Sequence, residues 1–163
     1  FGNVSMDGYA FPLEPQSRKI GGIIVGQTRT KHHDGTDAFD LFTPIDSANV
    51  YAIYGGTPTR INLDFHGIVG CSTIQFLADD GLYYWYGHLK DVVVQENVHI
   101  PGGTPMAKIA DRVKFTRDCW GGGPHLHIDR GCIIDGIPQT GGRDECRDPN
   151  FIPFLSKLYG TLQ

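Results

Sequence analysis

The sequence predicts a mainly β, antiparallel domain with little helix. Its 163 residues include 22 glycines and 10 prolines, a content that interrupts helices and suits short strands joined by turns. Hydrophobic residues make up 40% of the chain and aromatic residues 11%, enough for a hydrophobic core at this length. We expect one domain over residues 1–163, with an extended lead-in at 1–20, a central core at 30–130, and a C-terminal loop and short helix at 131–163.

Short apolar segments bounded by glycine, proline or aspartate predict the strands in chain order. Strands are expected at residues 21–25, 49–54, 67–77 and 82–89. Asp79-Asp80-Gly81 predicts the hairpin turn that joins the last two. Residues 92–109 alternate valines with turns and predict two short strands around a Pro-Gly-Gly turn. Residues 151–162 are the one segment with helical character.

Charge and hydropathy exclude two classes of partner. The formal net charge is −4, which argues against nucleic acid because a phosphate backbone attracts basic surfaces. No apolar run approaches the roughly 20 residues of a membrane-spanning helix. We therefore expect no nucleic-acid partner and no membrane span. The chain begins at Phe1 without a methionine, which is typical of a mature or trimmed form.

The four cysteines predict two disulfides and an oxidising compartment. They form no Cys-x-x-Cys pair, which disfavours a zinc ribbon. An even number on a glycine-rich β chain favours disulfides, the alternative being four reduced cysteines in a cytosolic protein. Three pairings are possible, and the sequence alone does not choose between them. We favour Cys132–Cys146, which closes the loop after residues 125–129, and Cys71–Cys119.

A glycine-rich stretch at residues 121–124 leads into His125-Leu126-His127. Side chains i and i+2 of a strand share a face, so His125 and His127 are predicted to lie side by side, with Leu126 facing the core. Two imidazoles on one strand face suit a metal or acid–base site. By spacing alone both histidines could be metal ligands, and the pair by itself also fits an exposed strand.

A second group of candidate ligands, His33 and Asp37, is separated by four positions around Gly35, which permits a tight bend. His32 directly precedes His33, and only the register of the motif distinguishes the two. Taken alone, this stretch also fits a polar surface turn, since Asp-Gly is a favoured turn dipeptide.

His88 ends the aromatic segment at residues 82–89 and is placed to project from the end of the sheet. The aromatic side chains before it are expected to pack in the core and on the sheet faces rather than to stack on bases. His66 and His99 are expected to be structural or exposed residues without a role in the site.

These segments together resemble the lysostaphin-type zinc metallopeptidases, the group that includes the β-lytic endopeptidases and bacterial cell-wall hydrolases. Three motifs follow in the family's order: His33-x-Gly35-x-Asp37, Tyr86-Gly87-His88-Leu89 and Gly123-Pro124-His125-Leu126-His127. The last of these motifs is identical to the family pattern at every position. The Thr-Pro pair after the first motif and the turn at residues 101–105 also fit. The resemblance covers roughly residues 30–130 and leaves out 1–20 and 132–163.

The resemblance implies that His33, Asp37 and His127 bind one Zn²⁺, and that His88 and His125 are catalytic histidines that do not bind the metal. Two imidazoles and one carboxylate leave a fourth tetrahedral position for water, as catalytic zinc requires. The fold implied is an antiparallel sheet with an active-site groove walled by loops. The activity implied is that of a secreted or periplasmic zinc endopeptidase acting on peptidoglycan peptides, at small residues such as glycine or D-alanine.

Two other functions remain as alternatives. A lysostaphin-like module that has lost catalysis could bind or regulate cell-wall machinery, but such modules usually lack one or more ligands, and all five positions are filled here. A zinc enzyme of another reaction type, such as an esterase or amidase, would use the same metal chemistry.

Overall fold

The computed structural model describes residues 4–5, 7–14, 24–25, 38–42, 47–67, 70–110, 119, 125–142 and 146–160. Its main element is an eight-stranded antiparallel sheet, and an α-helix follows near the C-terminus. The prediction of a mainly antiparallel β fold with a short C-terminal helix is confirmed.

The sheet is built around its longest strand. Its strands are β1 (Ile24–Val25), β2 (Phe39–Phe42), β3 (Asn49–Tyr51), β4 (Gly56–Asn62), β5 (Ser72–Ala78), β6 (Tyr83–Lys90), β7 (Pro105–Ile109) and β8 (His125–Arg130). Along the sheet the order is β1-β2-β8-β6-β5-β4, and β7 pairs with both β6 and β3. A separate hairpin consists of β9 (Ile133–Ile134) and β10 (Ile137–Pro138).

The structure differs from the sequence-based expectation in several segments. Residues 57–67, interpreted from the sequence as a connection or short strand, include most of the seven-residue strand β4. No strand is predicted at β2, because the polar stretch 31–37 directly before it favours a surface turn. The hairpin β9–β10 lies in a segment expected to be loop. Of the two strands expected within residues 92–109, only β7 is a strand, and Ile100 makes an isolated bridge to Gly56 instead.

The side chains of β6 show which face of the sheet packs against the core. It pairs with β8 on one side and β5 on the other, and its C-terminal end pairs with β7. Tyr84 and Tyr86 are fully buried in the core, whereas Trp85 is partly exposed. Because side chains alternate along a strand, Trp85 and Gly87 belong to the face opposite the core.

The core covers one face of the sheet. Leu41 of β2, Leu126 and Ile128 of β8 are all fully buried there. Leu41 lies directly opposite Leu126 in the pairing of the two strands, which joins their apolar sides. The residues that alternate with these, among them Asp40 of β2 and His127 of β8, therefore point to the other face of the sheet.

The helix α1 (Phe151–Gly160) closes the core at the C-terminus. Phe151 and Leu155, one turn apart, are buried, and the Phe151 ring packs edge-on against Tyr84 with ring centroids 5.7 Å apart. In the part of the chain that the structure describes, no helix combines the length and the apolar character needed to cross a membrane.

Both favoured disulfides are present, Cys71–Cys119 and Cys132–Cys146, and no cysteine is free. The first connects the start of β5 to the segment before β8, and the second closes the segment that follows β8. In the chain-entropy model, loops of these lengths contribute about 3–4 kcal/mol each by restricting the unfolded chain.

Tyr86 ties β6 to the chain after β3, which makes it a test of the fold. Its hydroxyl accepts a hydrogen bond from the Ile53 N–H (3.0 Å) and donates to the Tyr51 carbonyl (3.3 Å). Tyr86→Phe should lower the free energy of unfolding by about 1–3 kcal/mol, because the buried Ile53 N–H loses its partner. Urea denaturation measures the change. Tyr83→Phe on the same strand is the control, and an equal effect in both variants would contradict this role.

Candidate active site

His125 and His127 lie on the same face of β8, as predicted. Only 1% of His125 and 6% of His127 is exposed, and the intervening Leu126 is buried on the opposite face. Both rings contact the same carboxylate, that of Asp40. The alternative of two solvent-facing histidines is therefore wrong.

Asp40 of β2 lies directly across from His127 in the antiparallel ladder, so the two side chains share a face of the sheet. Its Oδ1 is 3.3 Å from Nδ1 of His127 and 3.5 Å from Nε2 of His125. The residue is 7% exposed. A buried carboxylate oxygen thus lies within reach of two imidazoles.

Sequence reasoning did not select Asp40 and pointed instead to Asp37. The signal that could have found it is local: Asp40 is the one charged residue in the apolar run 38–42. A carboxylate in the middle of a buried strand needs a partner cation or hydrogen bonds. Asp37, His32 and His33 lie outside the described residues, so their roles stay predictions.

A β-bulge in β6 brings His88 to this site. Ile74 of β5 pairs with Tyr86, and Ser72 pairs with Leu89, so β6 has one more residue than β5 over this interval. His88 lies in that interval with φ +64°, a left-handed conformation that is uncommon outside glycine. Bulges of this kind redirect side chains and often occur beside active sites.

The His88 ring packs against both histidines of β8, with ring centroids 4.6 Å from His125 and 5.8 Å from His127. Its Nδ1 donates a hydrogen bond to the carbonyl of Cys119, since a carbonyl only accepts. The lone pair of the neutral ring is therefore on Nε2. Burial, together with the neighbouring imidazoles of His125 and His127, lowers the pKa of His88 well below its ordinary value. This shift keeps the ring neutral near pH 7, with an unprotonated Nε2.

His127 is held from its other side by Asp129, whose Oδ2 is 3.0 Å from Nε2 of His127. A carboxylate only accepts, so Nε2 carries the proton of the neutral ring and Nδ1 carries the lone pair. Burial lowers the pKa of His127, but the hydrogen bonds to Asp129 and Asp40 outweigh burial and raise it. The Nδ1 atom faces Asp40, and a proton or a cation is needed between these two atoms to avoid repulsion between lone pairs.

Gly87 makes room for an aromatic wall beside His127. It pairs with His127 across β6 and β8, and a Cβ at this position would come within 2.5 Å of the Trp85 ring. Trp85 packs edge-on against His127 with centroids 5.2 Å apart. His127 therefore lies between Asp40 and Trp85.

The spacing of the donor atoms fits a zinc ion. Two ligand atoms at about 2.0–2.1 Å from a tetrahedral zinc are about 3.3–3.4 Å apart, which agrees with the 3.3 Å between His127 Nδ1 and Asp40 Oδ1. Among the described residues, however, no group of three or more histidine, cysteine, aspartate or glutamate side chains is arranged to hold a metal ion. A third protein ligand would have to come from outside them, where His33 lies.

His99 lies apart from this cluster and forms a surface pair with Asp79, with Nε2 and Oδ2 separated by 2.8 Å. Both side chains are more than half exposed. This agrees with the expectation that His99 lies apart from the catalytic chemistry.

The sheet has the lysostaphin-type fold of the M23 peptidases. The catalytic domain of lysostaphin from Staphylococcus simulans matches it with a TM-score of 0.60 at 21% sequence identity, over 88% of this chain and 99% of that domain. Against the larger lysostaphin chain the TM-score is 0.61 at 20% identity, and the match spans 92% of this chain but 56% of that one.

Two further solved structures share the fold. LytU matches with a TM-score of 0.57 at 23% identity, over 83% of this chain and 86% of its own. Pseudoalterin, a deep-sea M23 metalloprotease, matches with a TM-score of 0.53 at 16% identity, over 83% of this chain and 75% of its own. No family model and no curated protein sequence matches the chain. At these identities, the likeness establishes the fold.

Proposed function

We propose that the protein is a zinc-dependent endopeptidase that cleaves peptide bonds in bacterial peptidoglycan. The observation that carries the proposal is the buried cluster of Asp40, His125 and His127, with His88 packed against it. The same fold in lysostaphin, an antimicrobial peptidase, and in a zinc-containing peptidase from Vibrio cholerae supports this reaction class.

The metal ligands in this proposal are His127, through Nδ1, a carboxylate, and His33 of the first motif. Sequence reasoning points to Asp37 as the carboxylate. The short distance between Asp40 Oδ1 and His127 Nδ1 favours Asp40 instead. Imidazole nitrogens and carboxylate oxygens are ordinary zinc ligands, and three of them leave one position for water. When bound, the metal would lower the pKa of that water toward about 7 and polarise the scissile carbonyl.

His88 and His125 handle protons and developing charge in the proposed reaction. With its Nδ1 proton held by the Cys119 carbonyl, His88 can accept a proton from the attacking water at Nε2. Either histidine, once protonated, can donate to the oxyanion or to the departing amine. The close packing of the two rings, at 4.6 Å, keeps both groups near one reacting centre.

The substrate proposed is an extended peptide with glycine or D-alanine beside the cleaved bond. Glycine-rich walls allow a close approach of backbones, which suits binding through main-chain hydrogen bonds. These walls are expected at residues 121–123 and 102–120, of which 121–123 and most of 111–120 lie outside the described residues. The two disulfides support a secreted or periplasmic location.

The choice between the two carboxylates can be tested by metal content. Wild-type protein should hold about one zinc per chain, and Asp40→Ala and His127→Ala should each lose it because a ligand is removed. Atomic emission on desalted protein gives the ratio, and circular dichroism establishes that each variant is folded.

Asp37→Ala is the matched control and should keep its zinc. The reverse pattern, with zinc lost in Asp37→Ala and kept in Asp40→Ala, would restore Asp37 as the ligand and exclude Asp40. His32→Ala should also keep zinc, and a loss there would shift the first motif by one residue.

Variants of the two proposed catalytic histidines should affect turnover without affecting metal binding. His88→Ala and His125→Ala are expected to retain zinc while losing about 10²-fold or more in kcat, because proton transfer and oxyanion stabilisation fail. His99→Ala serves as the control and should turn over at the wild-type rate. Loss of zinc in His125→Ala would make both histidines of β8 ligands, and near wild-type kcat in either variant would remove its catalytic role.

Substrate class can be decided by comparing three substrates under the same zinc conditions. Cross-linked peptidoglycan and a pentaglycine peptide should be cleaved, and casein should be cleaved poorly, because the proposed groove favours small residues. Mass spectrometry of the released fragments identifies the bonds. Rapid casein cleavage without release of wall fragments would replace this proposal with a general protease.

A further inference from the structure

We propose that Asp129 is a positioning residue that fixes the tautomer and orientation of His127, so that Nδ1 is presented to the metal. This inference rests on the zinc site proposed above. It concerns side chains beyond the three sequence motifs and a segment outside the family resemblance.

Asp129 is completely buried, and each of its oxygens has a defined partner. Oδ1 accepts a hydrogen bond from the Gly142 N–H at 2.8 Å. Oδ2 accepts from Nε2 of His127 at 3.0 Å and lies 3.4 Å from Nε of Arg147. Arg147 compensates the negative charge of Asp129. Contacts to both oxygens restrict the rotation of the carboxylate that accepts the hydrogen bond from His127.

The segment after β8 is shaped closely around this carboxylate. Gly141 and Gly142 both have left-handed backbones, with φ +76° and +85°, and a Cβ on Gly141 would lie 2.5 Å from Asp129 Oδ1. Only glycine permits this approach without strain. Nε of Arg147 also donates to the Gly142 carbonyl at 3.2 Å, which joins the two partners of Asp129.

The disulfide Cys132–Cys146 holds the segment in place. It is reinforced by a hydrogen bond from the Cys132 N–H to the Cys146 carbonyl at 3.0 Å and by the bridge between Gly131 and Arg147. Arg147 directly follows the disulfide. A covalent link therefore fixes the position of the cation that stabilises Asp129.

A hydrogen bond to the second nitrogen of a metal-binding imidazole commonly fixes its tautomer and raises its basicity. Here the bond to Nε2 leaves the lone pair on Nδ1, which is the atom facing Asp40. Asn at position 129 has the same shape but presents one oxygen and one amide nitrogen. In either orientation of the amide, an N–H would face another N–H or force His127 into the opposite tautomer.

The chain offers a matched control on the other side of β8. Asp148 accepts from Nε of Arg130 at 3.0 Å and lies 2.9 Å from its second nitrogen, while Arg130 packs over the rings of Phe151 and Phe154. Like Asp129 and Arg147, this is a carboxylate–arginine pair between β8 and the segment after it. No contact between it and the site histidines is seen among the described residues.

The experiment compares Asp129→Asn, Arg147→Gln and Asp148→Asn in the full chain. Zinc dissociation constants are measured by competition with a chromophoric chelator, and the protonated nitrogen of His127 is identified by ¹⁵N NMR of labelled histidine. Asp129→Asn should weaken zinc binding by about 10–100-fold and, in the metal-free protein, reduce the fraction of His127 that is protonated at Nε2. Arg147→Gln should act in the same direction but less strongly, and remains informative if Asp129→Asn does not fold. Asp148→Asn should lower thermal stability and leave zinc affinity within about twofold, since it contacts neither ligand.

Zinc affinity and an Nε2–H signal unchanged in both Asp129→Asn and Arg147→Gln would overturn the inference, even if both variants were less stable. That result would leave the zinc site itself intact. If the wild-type protein takes up no zinc, the proposed function fails instead. The NMR signals of the metal-free proteins then decide separately whether Asp129 sets the tautomer of His127.

Discussion

The antiparallel pairing of β2 with β8 is the constraint on which the rest of the site depends. One register places Asp40 opposite His127 and Leu41 opposite Leu126. A shift of one residue would exchange the faces of β2, moving the carboxylate into the core and a leucine beside the imidazoles. The burial of Leu41 and Leu126 therefore also fixes the polar arrangement on the other face, and core packing selects the geometry of the site.

The polar side chains of the site are buried at a cost that their neighbours offset. Asp40 and Asp129 are almost or fully inaccessible to solvent, and an isolated carboxylate in such a position would strongly destabilise the fold. The imidazoles of β8 and Arg147 lie against these carboxylates, which reduces the cost. The same contacts restrict the rotation of the His127 ring, so that compensation of buried charge and orientation of a reactive side chain come from one set of contacts.

Local patterns in the sequence account for much of the fold and for part of the site. Period-two alternation correctly put His125 and His127 on one face, and turn residues located the hairpin before β6. Asp40 stands out locally as a charge in an apolar run, but placing it opposite His127 required knowledge of which distant strand pairs with β2. The position of His88 depends on a bulge that can be recognised only from the pairing of β6 with β5. The contacts of Asp129 with Gly142 and Arg147 depend on the path of the segment after β8, which the Cys132–Cys146 disulfide closes. These are long-range pairings, and a sequence read locally contains little information on their register.

The bulge at His88 has a consequence for how such a protein can change. Over this interval β6 is one residue longer than a regular ladder with β5 would need. A deletion there would make the ladder regular and could leave the sheet intact, yet it would redirect the histidine away from its neighbours. The extra residue lies where His88 reaches the histidines of β8, so grafting of loops onto this scaffold should leave the residue count between Tyr86 and Leu89 untouched.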